Sequence, residues 1–508
     1  MCSCAGGAFA LAVGATFAVC AGLAALVPGG GAKVYWSPYQ KLTLTARREG
    51  RDTIGYRLNT NDSWYQKIVN LSPAFVATHP QLFAGDSLEW NPYNLPYRYY
   101  ADPPSVLVLG AGMGNDVAAA LRHGAGRVVA VEIDPLIINL GRRFHFERPY
   151  SSDRVRVVVD DARSYVENTS DHFDLVLFSL LDSHTTSSHF TNIRIDNYVY
   201  TAEALRAARR LLNPGGLFIV KFQVGQPWIA GRLQGLLRAS FDQDPVEFQL
   251  EGSRTGTGGR FFIEGYGQRF ARAATDPALA AESLQTQNAT LATDDWPYFY
   301  QHEPGLPASV ILVSAVLALL GWRLTRVTLS SGRSLRWHFF WLGAGFLLLE
   351  VQIVSRTALL FGTTWVVNSI VIAGLLGLIL AANAIAAARP TLPAWLAYAG
   401  LIVSIGVSYG VPSRALLVDS PIARIVLAIA VLCLPVFFAG LVFVRSFAAE
   451  RFDSEALGSN LLGALVGGLL ESLSLWTGIR SLLLLAALLY TCAWLARPRL
   501  GIPVVAAR

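Results

Sequence analysis

Between residues 307 and 497 the chain carries one apolar block after another, each about twenty residues long, the length a helix needs to cross the hydrocarbon layer of a bilayer. This restricts the second half to packed apolar helices, with spans expected near 307–322, 337–355, 363–388, 393–411, 425–444, 457–475 and 480–496. An eighth block, Ala8 to Val27, is also long enough to span. It has no basic residues before it and no small-residue cleavage site, so it reads as an anchoring helix rather than a signal peptide. A composition of 53% hydrophobic and 15% charged residues agrees with a chain that is largely membrane.

The net charge of +6 points to nucleic acid only if the arginines form a stripe on one soluble domain. Instead many sit between apolar blocks (Arg323, Arg326, Arg333, Arg336, Arg445, Arg451, Arg497, Arg499), where basic loops orient a protein and meet acidic headgroups. The five cysteines, Cys2, Cys4, Cys20, Cys433 and Cys492, lie in or beside these blocks, which argues against a disulfide framework or a zinc site in the soluble region.

Residues 33–306 are mixed and charged. There Val106–Asp116, VLVLGAGMGND, reads as a buried strand running into the glycine turn Gly110, Gly112, Gly114 and then a helix, the geometry that brings backbone close to a nucleoside. Glu132 follows at the end of the next apolar run, VVAVE, where a carboxylate accepts hydrogen bonds from two ribose hydroxyls. From Ser105 onward apolar strands alternate with helices of about ten residues, which predicts a parallel, doubly wound Rossmann-like sheet. Its ligand end collects Gly110–Asp116, Glu132, Asp160, Asp161 and Ser179–Asp182. Residues 33 to about 100 read as a small β module of short strands with a turn at Asn59–Asp62. After a helix near 227–240 and a strand pair at 246–250 and 260–264, Thr293-Asp294-Asp295 reads as a solvated turn and Trp296-Pro297-Tyr298 as an interfacial aromatic cluster. The expected division is 1–32 anchor, 33–104 β module, 105–303 nucleoside-binding α/β domain and 304–508 polytopic helical domain.

SPYQK (Ser37–Lys41), the glycine turn, VEIDP, SSDRVRVVVDDAR (Ser151–Arg163), FDLVLFSLLDS and DNYVYT (Asp196–Thr201), in that order and spacing, resemble the polyamine aminopropyltransferases, the spermidine synthases, over roughly residues 35–225. GFLLLEVQIVSR (Gly345–Arg356) and SNLLGALVGG (Ser459–Gly468) are similar to the membrane half of fused members. The resemblance implies that Tyr39 and Gln40 help hold nucleoside and substrate, that Glu132 binds ribose, and that Asp161 with Ala162 binds adenine. It also implies a decarboxylated S-adenosylmethionine donor, a small amine acceptor, a role in polyamine biosynthesis and a homodimer.

Two departures bear on that activity. The donor's ammonium and the acceptor amine both call for carboxylates. One such position in the glycine loop is Met113, and the first acid of a paired-Asp loop is Ser179, leaving Asp182. Either Asp116 or Asp196 substitutes, or the enzyme no longer uses polyamines. Asp182 is the candidate base or acceptor anchor, with Ser179 and His184, then His189, beside it. Gly110, Gly112, Gly114 and Asp116 join Gln40, Glu132, Asp161 and Ala162 as cofactor-binding candidates. Tyr198 and Tyr200 line an acceptor pocket or belong to the core, and Arg163 touches the cofactor or is a solvated first-turn side chain.

An adenosyl sulfonium is already electrophilic, so the protein needs no metal; it orients an in-line displacement and removes a proton. The expected function is therefore a membrane-bound transferase that alkylates an amine. The alternatives are an S-adenosylmethionine-dependent methyltransferase acting on a membrane-associated substrate, and a transporter or receptor with a nucleoside-sensing domain. Glu350 and Glu471 interrupt apolar sequence and are expected to face other helices or a wet cavity, paired with Arg356 or Arg480. A multi-pass place in the cell membrane follows from the spans. Arginine counts over alternate loops export the soluble domain, the cytosolic origin of adenosyl cofactors retains it, and both orientations stay open.

Overall fold

A computed structural model describes residues 32–49, 52–84, 87–181, 197–279, 284–330, 334–418, 420–450 and 452–497, with two short strands, β9 (Thr186–Ser188) and β10 (Ile193–Arg194). The expected N-terminal anchor, Cys2, Cys4 and Cys20 lie outside the described residues.

The first unit is an antiparallel sheet of β1 (Lys33–Trp36), β2 (Lys41–Glu49), β3 (Asp52–Thr60) and β4 (Ser63–Val69) in sequential order. Asn61 and Asp62, at φ 47° and 65°, form the two-residue link between β3 and β4, where the left-handed backbone favours these residue types. The strands stop at Val69. Residues 70–104, expected to continue the β module, instead hold short helices, α1 (Pro73–Thr78) and α2 (Leu95–Tyr99), the first started by the Ser72 cap and Pro73.

The second unit is a seven-stranded sheet. Its parallel part runs β7 (Val155–Val159), β6 (Arg127–Glu132), β5 (Ser105–Leu109), β8 (Phe173–Phe178) and β11 (Leu212–Phe222). β13 (Gly259–Gly265) then pairs antiparallel with β11, and β12 (Val246–Leu250) antiparallel with β13. The expected parallel, doubly wound sheet is present, and the strand pair expected after it joins its edge antiparallel, so the whole sheet is mixed. The chain returns by a direct β12–β13 hairpin where no helix is available for another parallel crossover. Every residue of β5 is buried, since the sheet has a core on each face. The intervening helices are α3 (Asn115–Arg122), α4 (Pro135–Phe144), α5 (Ala162–Asn168), α6 (Ala202–Arg210) and α7 (Pro227–Phe241), with α8 (Gln268–Ala274) after β13. Asp134, Asp161 and Thr201 cap α4, α5 and α6 by accepting the Leu136, Ser164 and Ala204 amides.

The third unit comprises α9 (Ala308–Ser330), α10 (Trp337–Phe361), α11 (Trp365–Ala388), α12 (Ala394–Gly410), α13 (Pro421–Ala428) continuing through a π turn into α14 (Leu434–Ala448), α15 (Asp453–Glu471), α16 (Ser474–Thr477) and α17 (Ser481–Leu495). Four stretches, Trp337–Phe361, Trp365–Ala388, Ile422–Ala448 and Asp453–Thr477, are long and apolar enough to cross a membrane, and three shorter apolar helices accompany them. α10 and α15 approach closely because Gly463 and Gly467 face α10 backbone: a Cβ on Gly463 would lie 1.8 Å from the Phe340 carbonyl oxygen.

The soluble and helical halves are joined by hydrogen bonds. The Trp296 indole donates to the Leu475 carbonyl at 2.9 Å, and the Ile479 and Arg480 amides donate to Asp295 at 2.8 Å each. Trp296-Pro297-Tyr298, expected as interfacial rings, is thus buried in the joint, and Thr293-Asp294-Asp295, expected as a solvated turn, is half-buried there. Arg232, fully buried, holds this segment from behind by donating to the Thr290, Phe299, Gln301 and His302 carbonyls. Arg163 is also buried rather than solvated, ion-paired with Glu167 at 3.0 Å and Asp294 at 2.9 Å.

Candidate nucleoside site

β5 delivers the chain into a turn at Gly110, Gly112 and Gly114, whose φ angles of 73°, 56° and 106° belong to the left-handed region that glycine enters without strain. The Gly110 and Ala111 amides donate to the Val131 carbonyl at 3.0 Å, locking the turn to β6. Glu132, at the carboxyl end of β6, accepts the Gly112 amide at 2.9 Å and the Asp134 amide at 3.1 Å. It is 5% exposed, and burial lifts its carboxyl to about 7, against the lowering effect of those two amides. Turn and acid thus form one unit.

The neighbouring strand end carries Asp160 and Asp161. Burial raises Asp160 to about 6. Asp161 accepts the Ser164 amide at 3.0 Å through Oδ1. Its Oδ2 accepts the Thr363 hydroxyl at 2.5 Å and the Thr363 amide at 3.4 Å, both from the turn between α10 and α11. The same turn touches Tyr39, whose phenolic oxygen accepts the Trp365 amide at 3.4 Å. Gln40 reaches Asp134 at 3.5 Å, beside Glu132. Gly362 leaves no room here, since a Cβ would sit 2.8 Å from that of Asp161. The helical half therefore contributes directly to this end of the site.

Under the turn, Asp116 is 3% exposed and is ion-paired to buried Lys221 of β11, while Ser179 donates its hydroxyl to the same carboxylate. Lys221 also lies over the rings of Tyr93 and Phe261, 5.5 and 5.8 Å from their centroids. Asp116, a candidate partner for a ligand ammonium, is engaged by the protein's own cation. Met113 is fully buried among Leu42, Leu44, Leu58, Ile68, Ile137 and Leu140, so this turn position is a packing contact between the small sheet and α4. Gln66 of β4 accepts the Met113 amide at 3.0 Å, and the Tyr150 hydroxyl donates to the Gly112 carbonyl at 2.6 Å.

Gly110, Gly112, Gly114, Asp116, Glu132, Asp161, Ala162, Ser179, Tyr39 and Gln40 thus lie around the carboxyl ends of β5, β6, β7 and β8. Tyr200 does not join them: it packs in the core against Phe222 and Phe299. Tyr198 packs on Ala358, Leu359 and Ile479 at the joint with the helices. Asp182, His184, His189 and Asp196 lie outside the described residues. Sequence reasoning passed over Lys221, Gln66, Tyr150 and Thr363. Only Lys221 carries a signal, as a charge inside the apolar run GLFIVKF.

Chemically, Glu132 presents carboxylate oxygens beside a glycine bend that is pinned by its own hydrogen bonds, which fits a ribose. Asp161 is an acceptor suited to an exocyclic amine once Thr363 yields Oδ2. The fold defines a Rossmann-like domain with a candidate nucleoside site at this end of the sheet. Residues 93–238 match the family described as the spermine/spermidine synthase domain, and this part of the chain is a spermidine synthase-like domain. A polyamine aminopropyltransferase of Hamiltonella defensa is 29% identical over 132 residues, 25% of this chain and 42% of that protein. Polyamine aminopropyltransferase 2 of Hyperthermus butylicus is 31% identical over 140 residues, 27% and 43% of the two chains. The crystal structure of spermidine synthase from Thermotoga maritima aligns with 50% of this chain and 80% of its own, at 14% identity and a TM-score of 0.35. The chain spans less than half the length of the curated relatives it matches.

Proposed function

We propose that the chain is a multi-pass membrane transferase that moves an alkyl group from an adenosyl sulfonium to an amine. The observation that carries this reading is the coupling of Glu132 to the Gly112 amide, which pairs an acid with a left-handed glycine turn at the carboxyl end of a parallel sheet. The match of residues 93–238 supports it. In this reading Glu132 takes the ribose hydroxyls, Asp161 and Ala162 the adenine, the turn at Gly110, Gly112 and Gly114 leaves room for the sugar, Gln40 helps hold the nucleoside and Tyr39 borders the acceptor. The donor supplies a carbon activated by positive sulfur; its C–S bond breaks with the electron pair left on sulfur. The acceptor nitrogen forms the new C–N bond and gives its proton to a base, for which Asp182 is our candidate, with Ser179 and His184 beside it.

A second reading, methyl transfer from S-adenosylmethionine to a membrane-associated acceptor, is favoured by one cluster. Lys221 neutralises Asp116 and Ser179 stands beside them, so among the described residues of that corner Asp116 is not free to meet a cationic donor tail. Equilibrium binding of the full-length protein in detergent to S-adenosylmethionine and to its decarboxylated form separates the two. Tighter binding of the decarboxylated compound supports aminopropyl transfer, and the reverse order supports methyl transfer. Binding of neither removes the transferase reading.

A further inference from the structure

A cavity of about 330 Å³ lies among α10, α11, α14, α15 and α17, well away from the nucleoside site. Its walls include Phe346, Leu347, Phe443 and Ala464, and two polar side chains reach it, Glu350 and Asn460. Gly343 and Gly440 also line it; at Gly343 the absent side chain lets α15 come close, since a Cβ there would meet the Asn460 carbonyl oxygen. The Asn460 amide donates to the Phe339 carbonyl at 3.2 Å. The Glu350 side chain makes no hydrogen bond and no ion pair among the described residues. Its expected partner, Arg356, is turned away onto the Ser408 and Val411 carbonyls and the Ser413 hydroxyl, and Arg480 donates to the Tyr409 carbonyl. Glu350 sits near the middle of α10, one of the four helices able to span a membrane.

An acid in the middle of an apolar helix is costly unless something answers its charge, and among the described residues no group pairs with Glu350. We propose that this cavity binds a single-chain amphiphilic amine, with its ammonium on the Glu350 carboxylate and its alkyl chain along Phe346, Leu347 and Phe443. The volume falls at the lower end of small-molecule pockets and holds about ten heavy atoms at roughly 30 Å³ each. That is enough for one short alkyl chain and far too little for a two-chain lipid. α10 rises about 18 Å from Glu350 to Gly362 at 1.5 Å per residue, so a head group here lies outside reach of the transfer site. The cavity is a second site, for capture or sensing of an amphiphile rather than for its alkylation.

The proposal rests on reading α10 and its neighbours as membrane helices, which retention of the protein in carbonate-washed membranes tests separately. The site itself is tested with full-length protein in phosphatidylcholine nanodiscs and tritiated decylamine, with empty discs as background. Saturable binding is expected, competed by unlabelled decylamine and not by decanol or decanoate. Glu350→Gln is expected to weaken it at least tenfold, Glu350→Asp to keep most of it, and Ala464→Phe to abolish it by filling the space. Adenosyl-donor binding at the distant site reports folding of each variant. Equal decylamine binding by wild type and a folded Glu350→Gln protein, or equal competition by decanol, overturns the proposal. If Glu350→Gln does not fold, unchanged binding by Ala464→Phe overturns it just as well.

Discussion

Two acids in one domain meet opposite fates, and charge balance explains both. Glu132 is buried with no cation paired to it among the described residues, and burial lifts its carboxyl to about 7. Its folded pKa lies above the unfolded value, so the stability this group contributes is full below about 4.5 and is lost as pH rises through about 7. In the proposed site two ribose hydroxyls need the carboxylate, so donor affinity should run the other way. We expect it to rise about tenfold between pH 6 and pH 8, with Glu132→Gln weak and flat across that range. Calorimetric titration at both pH values checks this; a wild-type profile as flat as that of the variant removes Glu132 from the ribose. Asp116, in contrast, is buried with Lys221. Removing one member of such a pair strands the other charge. Lys221→Met should therefore cost about 3–5 kcal/mol, whereas the Lys221→Met, Asp116→Leu double variant should cost much less. Thermal unfolding of the singles and the double measures the difference, and additive losses would show that the pair is not coupled.

At the level of elements, the turn between α10 and α11 is the point where the helical half meets the site. Oδ2 of Asp161 receives both the hydroxyl and the amide of Thr363, which saturates the oxygen that an adenine amine would use. Thr363→Val removes the hydroxyl, and donor affinity is expected to increase about threefold to tenfold, the weight of one hydrogen bond. A decrease would make Thr363 a residue that positions Asp161 instead of one that competes for it. None of this was visible in the chain, because 202 residues separate the partners and neither has an unusual local pattern. What was legible is what short periodicities encode. The strand-turn-helix around Gly110 and the apolar blocks after residue 307 carry their pattern within twenty residues. The antiparallel β12–β13 edge was not legible in direction, because alternation fixes a strand's faces and leaves its partner unspecified. The Asp116 and Lys221 partnership crosses 105 residues and was equally hidden, although a lysine within GLFIVKF marked the spot.

For the molecule as a whole, the question is whether the soluble domain is self-sufficient. Sequence division at residue 303 treats it so, yet its last segment is completed by the helices. Trp296 and Tyr298 are 7% and 2% exposed, packed on Leu475, and Tyr298 shares a hydrogen bond of 2.5 Å with Ser474. Burial of two such side chains stabilises the joint by about 1.5–3 kcal/mol each, and cutting the chain returns that surface to water. From the soluble side residues 293–302 would then be held by Arg232 on the Phe299, Gln301 and His302 carbonyls and, at Asp294, by Glu203, Thr201 and Arg163. Hydrogen exchange should therefore separate two regions when residues 33–303 alone are compared with the full chain. Amides of 293–305 should exchange at least tenfold faster in the fragment, while β5 and β6, buried on both faces within the sheet, stay unchanged. Equal protection of 293–305 in both proteins would mean that the halves are merely tethered. Faster exchange confined to that segment would mean that the helical half finishes the fold of the domain it carries, which gives a signal in the membrane a direct mechanical route to the nucleoside site.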